Sequence, residues 1–232
     1  MSSLLRAEIV LSATIRLLSQ SPRITLDEIS ENTGVNRIFI EELFKNIGVE
    51  VKEGLVNTRL NVFLLRAWLA GYDVITLSLN SGWSTLEELV AEALSEAGFT
   101  SYRTIRFKLL GRRYEVDVLA LKRGVALCID CKRWQRLRES LLHRAAVAQA
   151  DRCASLARAF EQTVLPIPVE PGVYRMLPTI VSLYKPRVSV YANTIVIDLK
   201  TVLQLSSDDA LTVILSEIEP IVFQVPRQPR LF

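Results

Sequence analysis

The stretch from Tyr114 to Trp134 constrains the fold of this 232-residue chain more than any other. Two apolar runs flank a short turn that contains Gly124, which is the pattern of a β-hairpin. Because side chains alternate between the faces of a strand, Asp130 and Lys132 point the same way, and Asp117 on the neighbouring strand can meet them. An ionised carboxylate is costly to bury unless it is paired with a cation or binds a metal. The pattern therefore predicts a site of two acids and one lysine at the end of a hairpin.

The same residues carry a resemblance to a known superfamily. Asp117, a spacer and then Asp130-Cys131-Lys132 resemble the motif of the PD-(D/E)XK nucleases, and above all Mrr-type restriction endonucleases and archaeal Holliday junction resolvases. The run from Cys131 to Trp134 is similar to the lysine-arginine-tryptophan ending common in Mrr-type sequences. Val116 stands in place of the proline in the superfamily's name. The resemblance covers about residues 81–200 and implies a restriction-endonuclease-like, three-layer α/β domain with a central mixed sheet.

The resemblance also implies a role for each residue of the motif. Asp117 and Asp130 would be ligands of Mg²⁺ or Mn²⁺, and Lys132 would orient or help to deprotonate the attacking water. Carboxylate oxygens suit the hard, octahedral Mg²⁺ ion, which polarises a phosphate and acidifies a bound water. The alternative is an ion pair between Lys132 and one of the two aspartates in a sheet without catalytic activity.

A third acidic ligand is predicted on the helix before the first strand. The run Leu86-Glu87-Glu88-Leu89-Val90 resembles the phenylalanine-glutamate-x-leucine-valine pattern of Mrr-type helices, with leucine in place of the phenylalanine. At 100° per residue Glu87 also lies closer to the apolar face than Glu88 or Glu92. Both arguments select Glu87, although Ser84 and Glu87 also have the spacing of a capping box.

The basic residues are concentrated around the motif. Residues 1–99 contain 8 Lys and Arg against 13 Asp and Glu, residues 100–160 contain 14 against 5, and residues 161–232 contain 6 against 7. The middle segment carries a net charge of +9 in a chain whose formal net charge is only +3. Such a local excess suits a polyanionic substrate, with cation-binding acids among phosphate-binding arginines. We therefore expect DNA as the partner.

Particular residues are predicted to contact that DNA. The arginines nearest the motif are expected to bind phosphates as a group: Arg112, Arg113, Arg133, Arg136 and Arg138. Gln149, on a long helix predicted for residues 139–164, resembles a glutamine in a similar place in several of these nucleases. The aromatic residue that follows four residues later in one branch is Cys153 here.

The first eighty residues predict a separate, mainly helical domain that resembles a winged helix-turn-helix. Thr25 and Glu28 have the spacing of a capping box for a helix that ends at Thr33. Asn36 can cap a second helix as far as Asn46, and residues 49–56 have the pattern of a small hairpin. The alternative is a plain helical bundle.

The second of these helices is not predicted to read DNA. It carries Glu41 and Glu42 beside Arg37 and Lys45, and phosphate contacts need local positive charge. Four apolar residues are expected to face inward: Ile38, Phe39, Leu43 and Ile47. A role in protein contacts, such as a homodimer formed through this domain, is at least as well supported as a role in DNA reading.

The remaining segments predict an α/β order. An amphipathic helix is expected over residues 84–97, a strand over 102–109 and β-branched strands over 179–184 and 189–197. Helix, three strands, helix and further strands is the core order of the resembled fold. The domain division is placed at a Gly- and Ser-containing stretch, which gives domains 1–80 and 81–232.

Together these patterns predict a metal-dependent DNA endonuclease that hydrolyses phosphodiester bonds with Mg²⁺ or Mn²⁺. A non-catalytic DNA-binding or regulatory protein on the same fold is the first alternative, and an RNA-acting nuclease is the second. No run of about 18 apolar residues and no signal-peptide pattern is present, so a cytoplasmic protein without a membrane partner is expected.

Overall fold

A computed structural model describes residues 3–73, 86–132, 134, 138–165, 167–182, 189–205 and 208–227. The chain divides into two compact units, Met1–Glu92 and Ala93–Phe232. This division falls inside a helix, whereas the predicted boundary at residues 80 and 81 lies outside the described residues. The fold is mixed α/β, with a central sheet of parallel and antiparallel strands in the second unit.

The first unit is mainly helical and has a small sheet. Its helices are α1 (Ser3–Leu18), α2 (Leu26–Thr33), α3 (Arg37–Asn46) and α4 (Leu60–Leu69), and its strands are β1 (Arg23–Thr25), β2 (Val51–Lys52) and β3 (Leu55–Asn57). The strand order is β1-β3-β2, with antiparallel pairing throughout. A further helix, α5 (Leu86–Glu96), runs across the division between the units.

Side-chain caps explain where two of these helices begin. The predicted capping box at α2 is confirmed, because Thr25 Oγ1 accepts the Glu28 N–H at 3.1 Å and Glu28 Oε2 accepts the Thr25 N–H at 2.6 Å. Asn36 caps α3 through the Ile38 N–H at 2.7 Å. The inward position predicted for Ile38 is wrong, since 66% of this residue is exposed. The buried face of α3 consists instead of Ile40, Leu43 and Phe44.

The second unit is built on a seven-stranded sheet. Its strands are β4 (Thr100–Leu109), β5 (Arg112–Lys122), β6 (Val125–Lys132), β7 (Gly172–Ser182), β8 (Val190–Tyr191), β9 (Thr194–Asp198) and β10 (Ile221–Val225), and its helices are α6 (Glu139–Glu161), α7 (Leu199–Gln204) and α8 (Asp208–Glu217). The strand order is β4-β5-β6-β7-β9-β8, and β10 pairs with β7. β4, β5 and β6 form an antiparallel meander, while β6, β7 and β9 run parallel.

The long helix α6 packs against the sheet through small and apolar side chains. The core cluster includes Leu119 and Cys128 of the sheet together with Cys153, Leu156 and Phe160 of the helix. The predicted amphipathic face of α5 is confirmed too, because Ala97, which follows the helix, and the apolar residues of this face are buried: Leu86, Leu89, Val90, Ala93 and Leu94. The apolar periodicity of these helices therefore places them on the core.

The segment predicted as one strand over residues 189–197 is a hairpin. β8 and β9 pair across the turn Ala192–Asn193, whose two residues have φ of 44° and 57°. Asparagine tolerates this left-handed conformation and favours such two-residue turns. The β-branched composition predicts extended structure correctly but does not reveal the reversal. Among the described residues, no helix is both long and apolar enough to cross a membrane.

Candidate active site

The candidate site lies where β5 and β6 end their backbone pairing. The paired residues run from Lys122 and Val125 to Val118 and Ile129. One step further in the same register sets Asp117 opposite Asp130, and opposed residues of antiparallel strands share a face. The Cys131 N–H donates a 2.8 Å hydrogen bond to Asp117 Oδ2, so the carboxylate of one strand holds the backbone of the other.

Asp130 is the buried centre of this arrangement, because only 6% of its side chain is exposed. Lys132 Nζ lies 2.9 Å from Asp130 Oδ1 and 2.7 Å from Oδ2. Arg152 Nη1, from α6, lies 3.2 Å from Oδ1. The two cations are partly accessible, with 31% of the Lys132 side chain and 27% of the Arg152 side chain exposed. A buried carboxylate is thus balanced by two positive charges that reach solvent, which offsets its desolvation.

Gln149 connects this ion pair to the core of the sheet. Its side chain is fully buried, and its Nε2 donates to the Cys128 carbonyl oxygen at 2.7 Å. Its Oε1 accepts a hydrogen bond from Arg152 Nη1. Residues three apart on a helix are neighbours on its surface, so Gln149 docks α6 onto β6 and at the same time orients Arg152. Both polar atoms of the side chain are thus used within the protein. The predicted contact of Gln149 with DNA stays a prediction.

The cysteines beside the site are buried thiols. Cys128, Cys131 and Cys153 are all buried, and none of them is part of a disulfide. Burial raises the pKa of the Cys153 thiol well above its ordinary value, and the neighbouring Cys128 raises it further. A thiol in such surroundings stays protonated, and it is the thiolate that acts as a nucleophile or metal ligand. Cys153 therefore contributes packing between α6 and β6, in the same core cluster as Cys128.

Glu87 lies in the first turn of α5, within the unit Met1–Glu92, and is half-buried. Its role as a third metal ligand stays a prediction. Glu92, further along the same helix, pairs with Arg59 at 2.6 Å. Within the part of the chain that the structure describes, no three or more His, Cys, Asp or Glu side chains form a group that could hold a metal ion.

The predicted phosphate contacts are distributed around the β4–β5 hairpin and the start of α6. Arg112 and Arg113 are exposed at the start of β5, and the Arg112 guanidinium lies 5.1 Å from the centre of the Tyr114 ring. Arg138 is exposed at the N-terminus of α6. Arg133 and Arg136 lie outside the described residues.

Arg152 is the residue of this site that the sequence motif does not indicate. It lies on α6, well after the motif, in a helix whose other arginines include the exposed Arg144 and Arg158. One signal could have found it, because Arg152 follows Gln149 by three residues and so shares its side of the helix. The contact with Asp130 itself depends on how α6 lies across β6.

The donor chemistry of Asp117 and Asp130 fits a hard divalent cation. Mg²⁺ is bound in phosphate-processing proteins by one or two carboxylates, with water and substrate oxygens completing its coordination. Asp117 and Asp130 supply two carboxylates from adjacent strands, and the burial of Asp130 favours a positive partner. Lys132 and Arg152 already provide such partners, so a bound cation would compete with them for Asp130.

Comparison with known proteins adds little to this geometry. No protein-family model matches the sequence, and no curated protein matches it. The crystal structure of protein VC1899 from Vibrio cholerae is similar to this chain at 14% identity and a TM-score of 0.32, over 91% of this chain and 52% of that one. The chain therefore spans about half the length of that protein, and a likeness at this TM-score supports no statement about fold family or function.

Proposed function

We propose that this protein is a metal-dependent endonuclease that hydrolyses phosphodiester bonds in DNA on a restriction-endonuclease-like domain. The observation that carries the proposal is the ion pair of Asp130 and Lys132 beside Asp117, at the end of two paired strands. The order of α5, the β4–β5–β6 meander and α6 supports it, because this is the order that the sequence resemblance implies.

The proposed chemistry divides between a bound cation and the residues of the chain. Asp117 and Asp130 would hold Mg²⁺ or Mn²⁺, and the cation would supply Lewis acidity toward the phosphate and the attacking water. Lys132, whose ammonium group is partly exposed, would orient that water and offset negative charge that develops on the phosphate. Asp117 would also fix the end of β6 through the Cys131 N–H.

For the first unit we propose a winged helix that makes protein contacts. The element order α1-β1-α2-α3-β2-β3 and the sheet order β1-β3-β2 support the fold. On α3, Arg37 is paired with Asp27 at 3.1 Å, which leaves Lys45 beside Glu41 and Glu42. This surface offers no net positive charge for phosphates. Formation of a homodimer through this unit is the role we propose for it.

A cleavage panel tests the enzyme directly. Labelled linear, branched and single-stranded DNA, and RNA of the same sequences, are incubated with Mg²⁺, Mn²⁺ or EDTA. We expect cleavage of DNA that EDTA abolishes and that is lost in Asp117→Asn and Asp130→Asn. Asp151→Asn is the matched control, since Asp151 is an exposed aspartate on α6, and it should cleave like the wild type. Cleavage of RNA alone would support the RNA-acting nuclease instead.

A second candidate function is a non-catalytic DNA-binding protein on the same fold. One observation favours it, because both oxygens of Asp130 already contact cations of the protein. Removal of one member of a buried ion pair can cost about 3–5 kcal/mol. If Asp130→Asn loses thermal stability and DNA binding together, and the wild type binds DNA without cleaving it, this candidate replaces the nuclease.

A further inference from the structure

The turn that joins β4 to β5 presents a large apolar side chain to solvent. Leu109 pairs with Arg112, so the loop consists of Leu110 and Gly111 alone. Both residues have positive φ, at 47° and 82°, which is the signature of a type I′ turn. Leu110 is 89% exposed, so it lies at the tip of the hairpin with almost no packing.

Neither the turn nor the core explains a leucine at this position. A left-handed backbone is strained for a residue with a Cβ, and type I′ turns favour asparagine, aspartate or glycine. The other two-residue hairpin turns in the described part of the chain have Glu53, Arg123 and Ala192 at the equivalent place. The geometry of the turn therefore does not require a large apolar residue. A contact between Leu110 and a ligand does explain a large apolar residue at this position.

The residues around Leu110 identify the charge of that ligand. Lys108, Arg112 and Arg113 flank the turn and are exposed. Lys108 and Arg113 lie directly opposite each other on the two strands, and neither forms an ion pair with another described residue. Three cations around an apolar tip match a polyanion whose interior is apolar. A DNA duplex has this construction, with phosphates outside and stacked bases inside.

We propose that the β4–β5 tip is a wedge that inserts Leu110 between base steps while Lys108, Arg112 and Arg113 bind the flanking phosphates. Proteins that kink DNA insert apolar side chains such as leucine in this way, and the partial unstacking is offset by wider contact with the bent duplex. The inference rests on the proposed function, since it needs DNA as the ligand, and it adds a distortion of the substrate.

The spacing of the hairpin sets where the distortion should occur. Asp117 follows Arg112 by five positions along β5, which is about 17 Å at about 3.3 Å per residue. A DNA strand advances about 3.4 Å per nucleotide. A duplex that follows the hairpin would therefore be unstacked about five or six steps from the scissile phosphate.

Fluorescence of 2-aminopurine tests the wedge without catalysis. The base is placed at each step in turn, and binding is measured in EDTA with the full-length protein. We expect a several-fold rise in fluorescence at one step for the wild type. That step should lie about five or six steps from the position that is cut when Mg²⁺ is added. Leu110→Asn should abolish the rise, while the Kd for DNA weakens less than about tenfold because the phosphate-binding cations remain.

The choice of asparagine separates the loss of the wedge from the loss of the fold. Asparagine suits the left-handed turn, so the melting temperature of Leu110→Asn should equal or exceed that of the wild type. Val213→Asn, at an exposed apolar position on α8, is the control and should keep the fluorescence rise. DNA binding without a rise at any step, or a rise that Leu110→Asn retains, overturns the wedge and leaves the nuclease intact. An absence of all DNA binding overturns both proposals.

Discussion

Asp130 brings an ionised carboxylate into a buried part of β6, and Lys132 and Arg152 compensate it from two different elements. The lysine follows from the local sequence, since it is two residues away on the same strand. The arginine arrives from α6 and is held by Gln149, which is itself held by the Cys128 carbonyl. The charge balance of the site therefore depends on the docking of one helix.

Replacement of Arg152 should expose that dependence. We expect Arg152→Met to lower the free energy of unfolding by about 1–3 kcal/mol, because Asp130 and Gln149 each lose a buried polar partner. Arg158→Met, at an exposed position of the same helix, should change it by less than about 0.5 kcal/mol. Urea unfolding measures both. The affinity for Mn²⁺ measured by calorimetry should rise in Arg152→Met, since one competing cation is gone. Equal stability of the two variants would show that the ion pair between Asp130 and Arg152 contributes nothing.

The difference between Lys132 and Arg152 also shows how far sequence reasoning reaches at this scale. Strand alternation predicts that Asp130 and Lys132 share a face, and in the structure they are in direct contact. Arg152 could not be selected in the same way, because its partner lies 22 positions earlier on another element. A helix-to-strand contact requires the crossing of α6 over the sheet, which the sequence pattern does not specify.

At the scale of the element, the β4–β5 hairpin combines a packed face with a basic one. Ile105, Phe107 and Leu109 are buried, while Arg106 and Lys108 between them are exposed. Arg106 pairs with Glu115 on the opposite strand at 2.8 Å, at an exposed position where such pairs contribute little to stability. The cations nearest the turn are therefore the ones suited to phosphates.

The pair Lys108 and Arg113 should control the salt dependence of DNA binding. Replacement of both by Ala should weaken binding and lower the slope of log K against log salt by about one for each phosphate that is no longer neutralised. Arg175→Ala removes an exposed arginine from β7 and should leave the slope unchanged. Fluorescence anisotropy at several salt concentrations gives the slopes. A slope that is the same in all three proteins contradicts a phosphate-binding hairpin.

Elements with strong periodicity are predictable from the sequence, and elements defined by a turn are less so. The meander and α6 follow from alternating and helical apolar patterns. The turn at Ala192 and Asn193 escapes prediction because alanine gives no sign of a left-handed conformation, although asparagine does. The inward position predicted for Ile38 fails because the spacing of Ile40, Leu43 and Ile47 sets the buried face of α3. Ile38 precedes Ile40 by two residues, which is about 200° of rotation and places it on the opposite side of the helix.

At the scale of the whole molecule, charge is divided unequally along the chain. Residues 1–99 carry five more acidic than basic groups, and residues 100–160 carry nine more basic than acidic groups. Long-range attraction of a polyanion follows net charge. The second unit is therefore expected to supply most of the affinity for DNA, and the first unit to supply contacts with another copy of the chain.

Removal of the N-terminal residues tests whether the second unit supplies the DNA affinity and the first unit the contacts between copies of the chain. A chain that begins at residue 81 keeps α5 whole, whereas one that begins at Ala93 would retain only four residues of that helix, too few to be stable alone. We expect the chain that begins at residue 81 to keep DNA affinity within about threefold of the full-length protein. In analytical ultracentrifugation this shorter protein should sediment as a monomer, whereas the full-length protein should sediment as a dimer. A large loss of affinity with an unchanged oligomeric state would show that the first unit binds DNA.

The strand order of the second unit bears on the sequence of events during folding. β4, β5 and β6 are consecutive and pair as neighbours, while 39 residues, among them the 23 of α6, separate β6 from β7. Local pairings form faster because their loops lose less entropy on closing. Asp117 and Asp130 should therefore meet before Arg152 arrives, in a nascent hairpin with Lys132 as the nearest counter-charge. The two carboxylates repel each other in this hairpin, and salt screens the repulsion. The early phase of refolding, measured by stopped flow, should therefore accelerate as ionic strength rises. A rate that is independent of salt would show that α6 docks before the two aspartates meet.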